Sequence, residues 1–156
     1  MPRAKITNKR QKEPDTKFKS RIVAKMITEV MLDGKKSIAT KIVYDMMDKL
    51  NNDDPKESRR YFEEAVKNVM PDMEVKSRRV GGANYQIPMP VRHDRSETLA
   101  IRWLVDAARS QKGTAMVTKL TNEIKAAYKK EGTAFSKKVN THKMADANKA
   151  FSHFKW

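Results

Sequence analysis

The chain of 156 residues contains no cysteine. That excludes a disulfide framework, a thiolate metal site and a cysteine nucleophile. It fits a reducing compartment without requiring one. No run of eighteen or more apolar residues occurs, so no membrane-spanning helix is expected. No apolar stretch follows the first basic residues, so no secretory signal is expected either. No internal repeat or low-complexity run is visible. The three histidines, His93, His142 and His153, have no partner at zinc-like spacing. No Gly-rich loop leads from a strand into a helix with the lysine that a phosphate cradle needs. No serine sits in a nucleophile elbow, and Glu63-Glu64 reads as a solvated acidic pair. Catalysis has no constellation to rest on, and no metal, cofactor or small-molecule substrate is implied.

What the chain does have is positive charge. Thirty-four Lys and Arg stand against nineteen Asp and Glu, a formal net charge of +15. Self-repulsion of that size opposes the compact state and favours binding to nucleic acid or an anionic membrane. Hydrophobic residues make up 38% and charged residues 34%. One domain with a modest core follows, burying roughly 70% of the surface its unfolded chain exposes.

Residues 1–17 hold Arg3, Lys5, Lys9, Arg10, Lys12 and Lys17 with few apolar residues, and read as a basic arm that orders on a partner. From Phe18 the apolar period is helical: Phe18, Ile22, Met26 and Val30 recur every four residues. Gly34 ends this first helix. A second starts near Lys35 and turns Ile38, Ile42, Val43, Met46, Met47 and Leu50 inward. The third has a strong start signal, with Asp54 as cap, Pro55 at the first helical position and Glu57 three residues after the cap. It buries Phe62, Ala65, Val66 and Val69 and stops before Pro71. A fourth begins near Asp94 or Ser96 and runs to about Ser110. Gly113-Thr114 opens a fifth, with Met116, Val117, Leu120, Ile124 and Tyr128 inward. Gly132-Thr133 separates it from a less regular sixth that ends near Asn148.

Between the third and fourth helices lies the one strand-like region, 73–91. Two short strands flank a Gly81-Gly82 turn. Pro88 and Pro90 have no N–H for a ladder, so the pair must be a sheet edge. A lone hairpin is marginal in water, and a polyanion is a surface that could complete it. Ribbons of this kind enter nucleic-acid grooves. By alternation Tyr85, Ile87, Met89 and Val91 share one face of the second strand, and Lys76, Arg78 and Arg79 put positive charge on both faces of the first. The fold class is therefore mainly α: a six-helix bundle of residues 18–148 with one protruding two-stranded β-ribbon, followed by a tail, 149–156.

Three further patterns bear on binding. Lys17, Arg21 and Lys25 stand four apart, a spacing at which like charges repel. They face either phosphate or solvent. The fourth helix is apolar nearly all round, through Leu99, Ala100, Ile101, Trp103, Leu104, Val105, Ala107 and Ala108, which marks it as buried. Its remaining stripe holds Arg95, Arg102, Asp106 and Arg109. Asp106 can serve Arg102 or Arg109 but not all three arginines. Guanidinium forks suit phosphate, so RNA contact is expected first for Arg95. In the tail, Phe151, Phe154 and Trp156 interleave with Lys149, His153 and Lys155. They either stack on bases or dock on protein.

Several stretches resemble the bacterial small-subunit ribosomal protein seven family. They are Met1-Pro-Arg3, Asp33-Gly-Lys-Lys-Ser37, Val75 to Gly82, Tyr85-Gln-Ile-Pro88, Ala100-Ile-Arg-Trp103, Lys143 to Phe151 and the closing Trp156. The resemblance covers essentially the whole chain. It implies a cytoplasmic, ribosome-bound protein that binds the 3′ major domain of small-subunit rRNA and nucleates assembly of the head. It also implies a place near the decoding site, beside the exit-site tRNA and the mRNA path, with small-subunit ribosomal proteins nine and eleven as neighbours. The rRNA-binding set carried over is Arg3, Lys9, Arg10, Lys35, Lys36, Lys76, Arg78, Arg79, Arg92, Arg95 and Arg102, with Lys143 and Lys149. Gly81, Gly82, Ala83, Tyr85, His153 and Trp156 would lie near tRNA and mRNA. Lysine at position 5, where the family arm is rich in arginine, lacks the bidentate fork. Two other classes remain open on the residues alone: an architectural DNA-binding protein with a ribbon arm, and a membrane-surface protein drawn by charge.

Overall fold

The computed structural model describes residues 13–50 and 54–154. In chain order these form α1 (Arg21–Val30), α2 (Lys36–Leu50), α3 (Pro55–Val69), β1 (Met73–Val80), β2 (Ala83–Pro90), α4 (His93–Ser110), α5 (Met116–Tyr128), α6 (Thr133–Ala147) and a 3-10 helix, η1 (Lys149–Phe154). The expected class, six helices with one ribbon between the third and fourth, is the class observed.

The start of α3 follows its sequence signal. The Asp54 carboxylate accepts the Lys56 N–H at 2.8 Å, with Pro55 at the first helical position. That satisfies one of the donors a helix leaves unpaired at its N-terminus. The chain into α1 departs from expectation. Phe18 is buried, but the helix begins only at Arg21, because Lys19 adopts a left-handed φ of 50°. Asp15 holds this entry. Its carboxylate accepts the N–H groups of Lys17 and Phe18 and the Tyr44 hydroxyl. At the other end α1 stops at Val30, not Gly34, with Met31 extended.

The core joins Val23, Met26 and Ile27 of α1, Val43, Met46 and Met47 of α2, Phe62, Val66 and Val69 of α3, and Leu120 and Ile124 of α5. Helix α4 buries nine of its eighteen residues, as a helix apolar on most of its circumference must, and packs against α1, α3, α5 and α6, while α2 packs on α1, α3 and α5. Two inward assignments fail. Ile38 is 56% exposed. The face of α2 that reaches the core repeats through Ala39, Val43, Met46 and Met47, and Ile38 lies one residue, about 100°, off that line. Tyr128 is exposed too, at the last turn of α5, where its ring stacks on Tyr61 with centroids 3.9 Å apart.

The ribbon pairs Met73 with Pro90 through Val80 with Ala83. Gly81 and Gly82 both have positive φ, 56° and 91°, as the tight hairpin turn matching strand twist demands. Directly paired residues share a face. Glu74, Lys76 and Arg78 therefore lie with Met89, Ile87 and Tyr85, and Arg79 lies with Asn84 on the other face. The ribbon does not wait for a polyanion to complete it. Ile87 and Pro88 are both buried, and α6 and η1 pack on the strands. His142 of α6 accepts the Asp72 N–H through Nε2 at 3.0 Å, at the ribbon root. Phe151 of η1 meets Tyr85 with ring centroids 5.1 Å apart. The tip, Gly81 to Asn84, is exposed.

Helix α6 has no side-chain cap at Gly132. Buried Glu123 of α5 supplies the acceptor instead, taking the Ala134 N–H at 2.9 Å. A Cβ at Gly132 would come within 3.0 Å of that carboxylate and of Ala126, at a φ of 93°. Glycine is thus required both by space and by conformation.

Candidate nucleic-acid interface

Helix α4 organises the basic face. Arg95, Arg102 and Arg109 recur every seven residues, so they stand on one side of the helix. At 1.5 Å per residue the line from Arg95 to Arg109 is about 21 Å long. Its two ends are fixed by different elements. At the ribbon end, Arg95 Nε lies 3.0 Å from both carboxylate oxygens of Glu74. Toward the other end, Arg102 Nε lies 3.1 Å from Glu29 of α1, and Arg109 donates to the Glu29 and Val30 carbonyls. Arg109 thereby satisfies acceptors that the end of α1 leaves unpaired.

Asp106 serves neither arginine. The partners come from α1 and β1 instead. Arginines carry five N–H donors, and the ion pairs of Arg95 and Arg102 occupy only the Nε side. The side chains of Arg95 and Arg102 remain more than half exposed. They are held in orientation and still open outward.

Around this line the other candidates fall into place. Lys35, on the α1–α2 connection, and Lys36, the first residue of α2, are exposed just after the α1 end that Arg109 binds. Arg92 is exposed at the N-cap of α4. Lys76 and Arg78 extend the face along the strand that carries Glu74, while Arg79 points to the opposite side of the ribbon. Lys143 and Lys149 are exposed on α6 and η1, the elements that pack on the ribbon. Lys143 follows the His142 that anchors the root, and Lys149 lines a small cleft of about 250 Å³ against Met73, Pro88 and Pro90. Gly81, Gly82 and Ala83 are exposed at the tip, Tyr85 is half-buried beside Phe151, and His153 is exposed with Nδ1 2.8 Å from the Ala150 carbonyl. Arg3, Lys9, Arg10 and Trp156 lie outside the described residues.

The stripe Lys17, Arg21, Lys25 dissolves. Lys17 precedes α1 and pairs with Asp48 at 3.0 Å, its ammonium 5.2 Å from the Phe18 and Tyr44 ring centres. Lys25 pairs with Glu97 at 2.8 Å between α1 and α4. Arg21 is exposed and makes no ion pair among the described residues. These lysines are structural, which their spacing alone could not reveal.

The sequence profile of one family, described as ribosomal protein S7p/S5e, matches residues 2–149. This chain belongs to that family. A small ribosomal subunit protein uS7 from Pelotomaculum thermopropionicum is 53% identical over the full length of both chains. The uS7 protein of Treponema denticola is 50% identical, again over both full lengths. That of Thermotoga maritima is 50% identical over 99% of each.

Membership in a ribosomal protein family makes an S7p/S5e chain such as this one a structural component rather than an enzyme. The resemblance seen in the sequence is thereby upheld. No group of His, Asp and Glu among the described residues has the arrangement of a metal site. No described helix is long and apolar enough to cross a membrane.

Proposed function

We propose that this S7p/S5e protein is a constituent of the small ribosomal subunit, working in the cytoplasm as a primary binder of the 3′ major domain of small-subunit rRNA. In this reading it nucleates assembly of the head. Its ribbon tip and carboxyl end lie beside the exit-site tRNA and the mRNA path near the decoding site, and small-subunit proteins nine and eleven are its neighbours. The relatives' names supply the subunit.

The observation that carries the binding mode is the oriented arginine line of α4, continued at one end by Lys35 and Lys36 and at the other by Lys76 and Arg78. Rigid guanidinium donors at fixed separations suit an RNA recognised by the shape of its phosphate backbone. Arg3, Lys9 and Arg10 extend the contact from the arm, and Arg79, Arg92, Lys143 and Lys149 from the surroundings of the ribbon. Binding to the 3′ major-domain fragment, compared with a scrambled RNA of equal length over a salt series, tests it. A preference for the cognate fragment that persists as salt rises is the expected result. Equal binding to both RNAs, fading together, refutes it.

A further inference from the structure

A second basic surface lies along the outer side of α3, and none of the residues of the proposed rRNA-binding set belongs to it. Two clefts, of about 530 and 710 Å³, open on either side of Arg60 and Glu63 and share those two residues. They form one trough. Its floor is the face of α3 opposite the buried Phe62, Ala65, Val66 and Val69.

The charges of this trough differ from those of the α4 face. There the arginines are each matched to a carboxylate or carbonyl. Here Lys19, Lys56, Arg60, Lys67 and Lys130 are exposed and make no ion pair among the described residues. The carboxylates that line it are largely spoken for. Asp54 caps α3, and Glu63 accepts from Arg59 and Ser20. Glu64 makes no ion pair among the described residues, one negative charge against five positive. Lys56 and Arg60 stand four apart on one helix, where like charges repel. Lys138, which donates to the Asn68 carbonyl at 2.8 Å, is held below the usual lysine range by burial, with Lys130 adding to the effect against an opposing pull from Asp72.

We infer that the α3 trough binds a second segment of RNA backbone, separate from the segment met by α4 and the ribbon. From Lys56 to Lys67 the cations run about 17 Å along the helix. That length takes in several consecutive phosphates of one strand rather than a single anion. A regular series of charges on a line favours a polymer of phosphates over a small anion. A protein partner would need an exposed aromatic or aliphatic anchor, and the trough offers only half-buried Phe135 and buried Phe18. With one strand on each side, the bundle holds two RNA segments at a fixed separation. This inference rests on the proposed rRNA reading and deepens it.

The absence of cysteine provides the test. Glu64→Cys places a single thiol in the trough, and Ser77→Cys, in a second protein, places one on the ribbon. Each carries a tethered iron chelate that cuts nearby RNA by hydroxyl radicals, in the complex of the full chain with the 3′ major-domain fragment. A companion variant, Lys56→Gln with Arg60→Gln and Lys67→Gln, changes only exposed side chains and is checked by circular dichroism. Expected are cuts from position 64 at nucleotides different from those cut from position 77. The triple variant should flatten the slope of log affinity against log salt by about 2 to 3. Cuts from position 77 alone, or an unchanged slope in the triple variant, overturn the trough and leave the rRNA reading standing; an acidic protein segment is then the better occupant. Absence of cognate preference in the unmodified protein removes the rRNA reading, and this inference with it.

Discussion

Glu74 should act as a brake on Arg95, and removing it should sharpen the response of RNA binding to salt. The Arg95 Nε lies 3.0 Å from both Glu74 oxygens, and the arginine side chain is 61% exposed. Exposed pairs of this kind contribute about 0.2–1 kcal/mol to folding. For a domain of this size that is at most about 4 °C in Tm. Glu74→Gln therefore leaves the fold intact. Its effect on binding is larger, because a phosphate approaching the open end of the guanidinium also meets the carboxylate. If Glu74 fully offsets Arg95, its removal restores one neutralised phosphate and steepens the slope by about 0.7–0.9. Between 50 and 200 mM salt a slope change of that size multiplies the affinity ratio by about 3. Fluorescence anisotropy with a labelled 3′ major-domain fragment reads both quantities. Arg95→Ala should leave a slope no steeper than that of the unmodified protein, and Glu74→Gln added to it should have no further effect. A Glu74→Gln slope equal to that of the unmodified chain refutes the reasoning and makes Arg95 a tether of the ribbon alone.

Four other outcomes follow from the same contacts. Glu123→Ala should cost about 2–3 kcal/mol, because it strands the Ala134 N–H that Glu123 caps, and Glu123→Gln about 1 kcal/mol, both read by urea unfolding. Lys25→Met should cost about 1–3 kcal/mol, less than a fully buried pair because Lys25 keeps some exposure, and Glu97→Gln should recover part of it in a double-mutant cycle. Gly82→Ala, at a φ of 91° in open space, should cost about 1–2 kcal/mol by conformation alone and speed hydrogen exchange in the ribbon. Burial, and then the neighbouring Tyr128, raise the pKa of Tyr61 above the usual 10.0. A folded value above the unfolded one gives stability that is complete below about 10 and fades as pH rises through the folded value. In an ultraviolet titration one tyrosine should ionise late, and Tyr61→Phe should remove it; loss of an ordinary tyrosine instead would contradict the assignment.

Local signals were legible in the sequence wherever one segment decided the outcome. Asp54, Pro55 and Glu57 mark the start of α3, and Gly81-Gly82 between strand-like runs marks the turn. The breadth of the apolar surface on α4 marks its burial. Where the partner was distant, the sequence was silent. Arg102 and Glu29 are 73 residues apart, Lys25 and Glu97 are 72 apart, and Arg95 and Glu74 are 21 apart. Asp106 was the nearest carboxylate in sequence to Arg102 and Arg109, yet it points elsewhere, because α4 turns its arginines toward α1. The first helix begins later than its apolar period predicts, for a related reason. Phe18 fits its apolar period, but the period reports burial, and Phe18 is buried in a turn that Asp15 holds.

The pairing pattern bears on how a chain with a net charge of +15 folds before it meets a polyanion. Its carboxylates are not spread evenly over the cations. Glu29, Glu74 and Glu97 each join two elements, α1 to α4 or β1 to α4, so part of the acidic minority holds the seams along α4. Such pairs hold arginine side chains in place before binding, which lowers the ordering cost on association. On the outer face of α3 only Arg59 is paired, with Glu63, and Lys56, Arg60 and Lys67 make no ion pair among the described residues. The two basic surfaces should therefore respond differently to salt in the free protein. Raising ionic strength screens repulsion along α3, which favours the fold, and weakens the exposed pairs of α4, which disfavours it. Neutralising Lys56, Arg60 and Lys67 leaves only the second effect. The triple Gln variant should thus melt slightly higher than the unmodified chain at low salt, with the gap closing as salt rises. Calorimetry across a salt series reads that gap. A gap independent of salt would mean that the α3 charges do not repel one another in the folded chain.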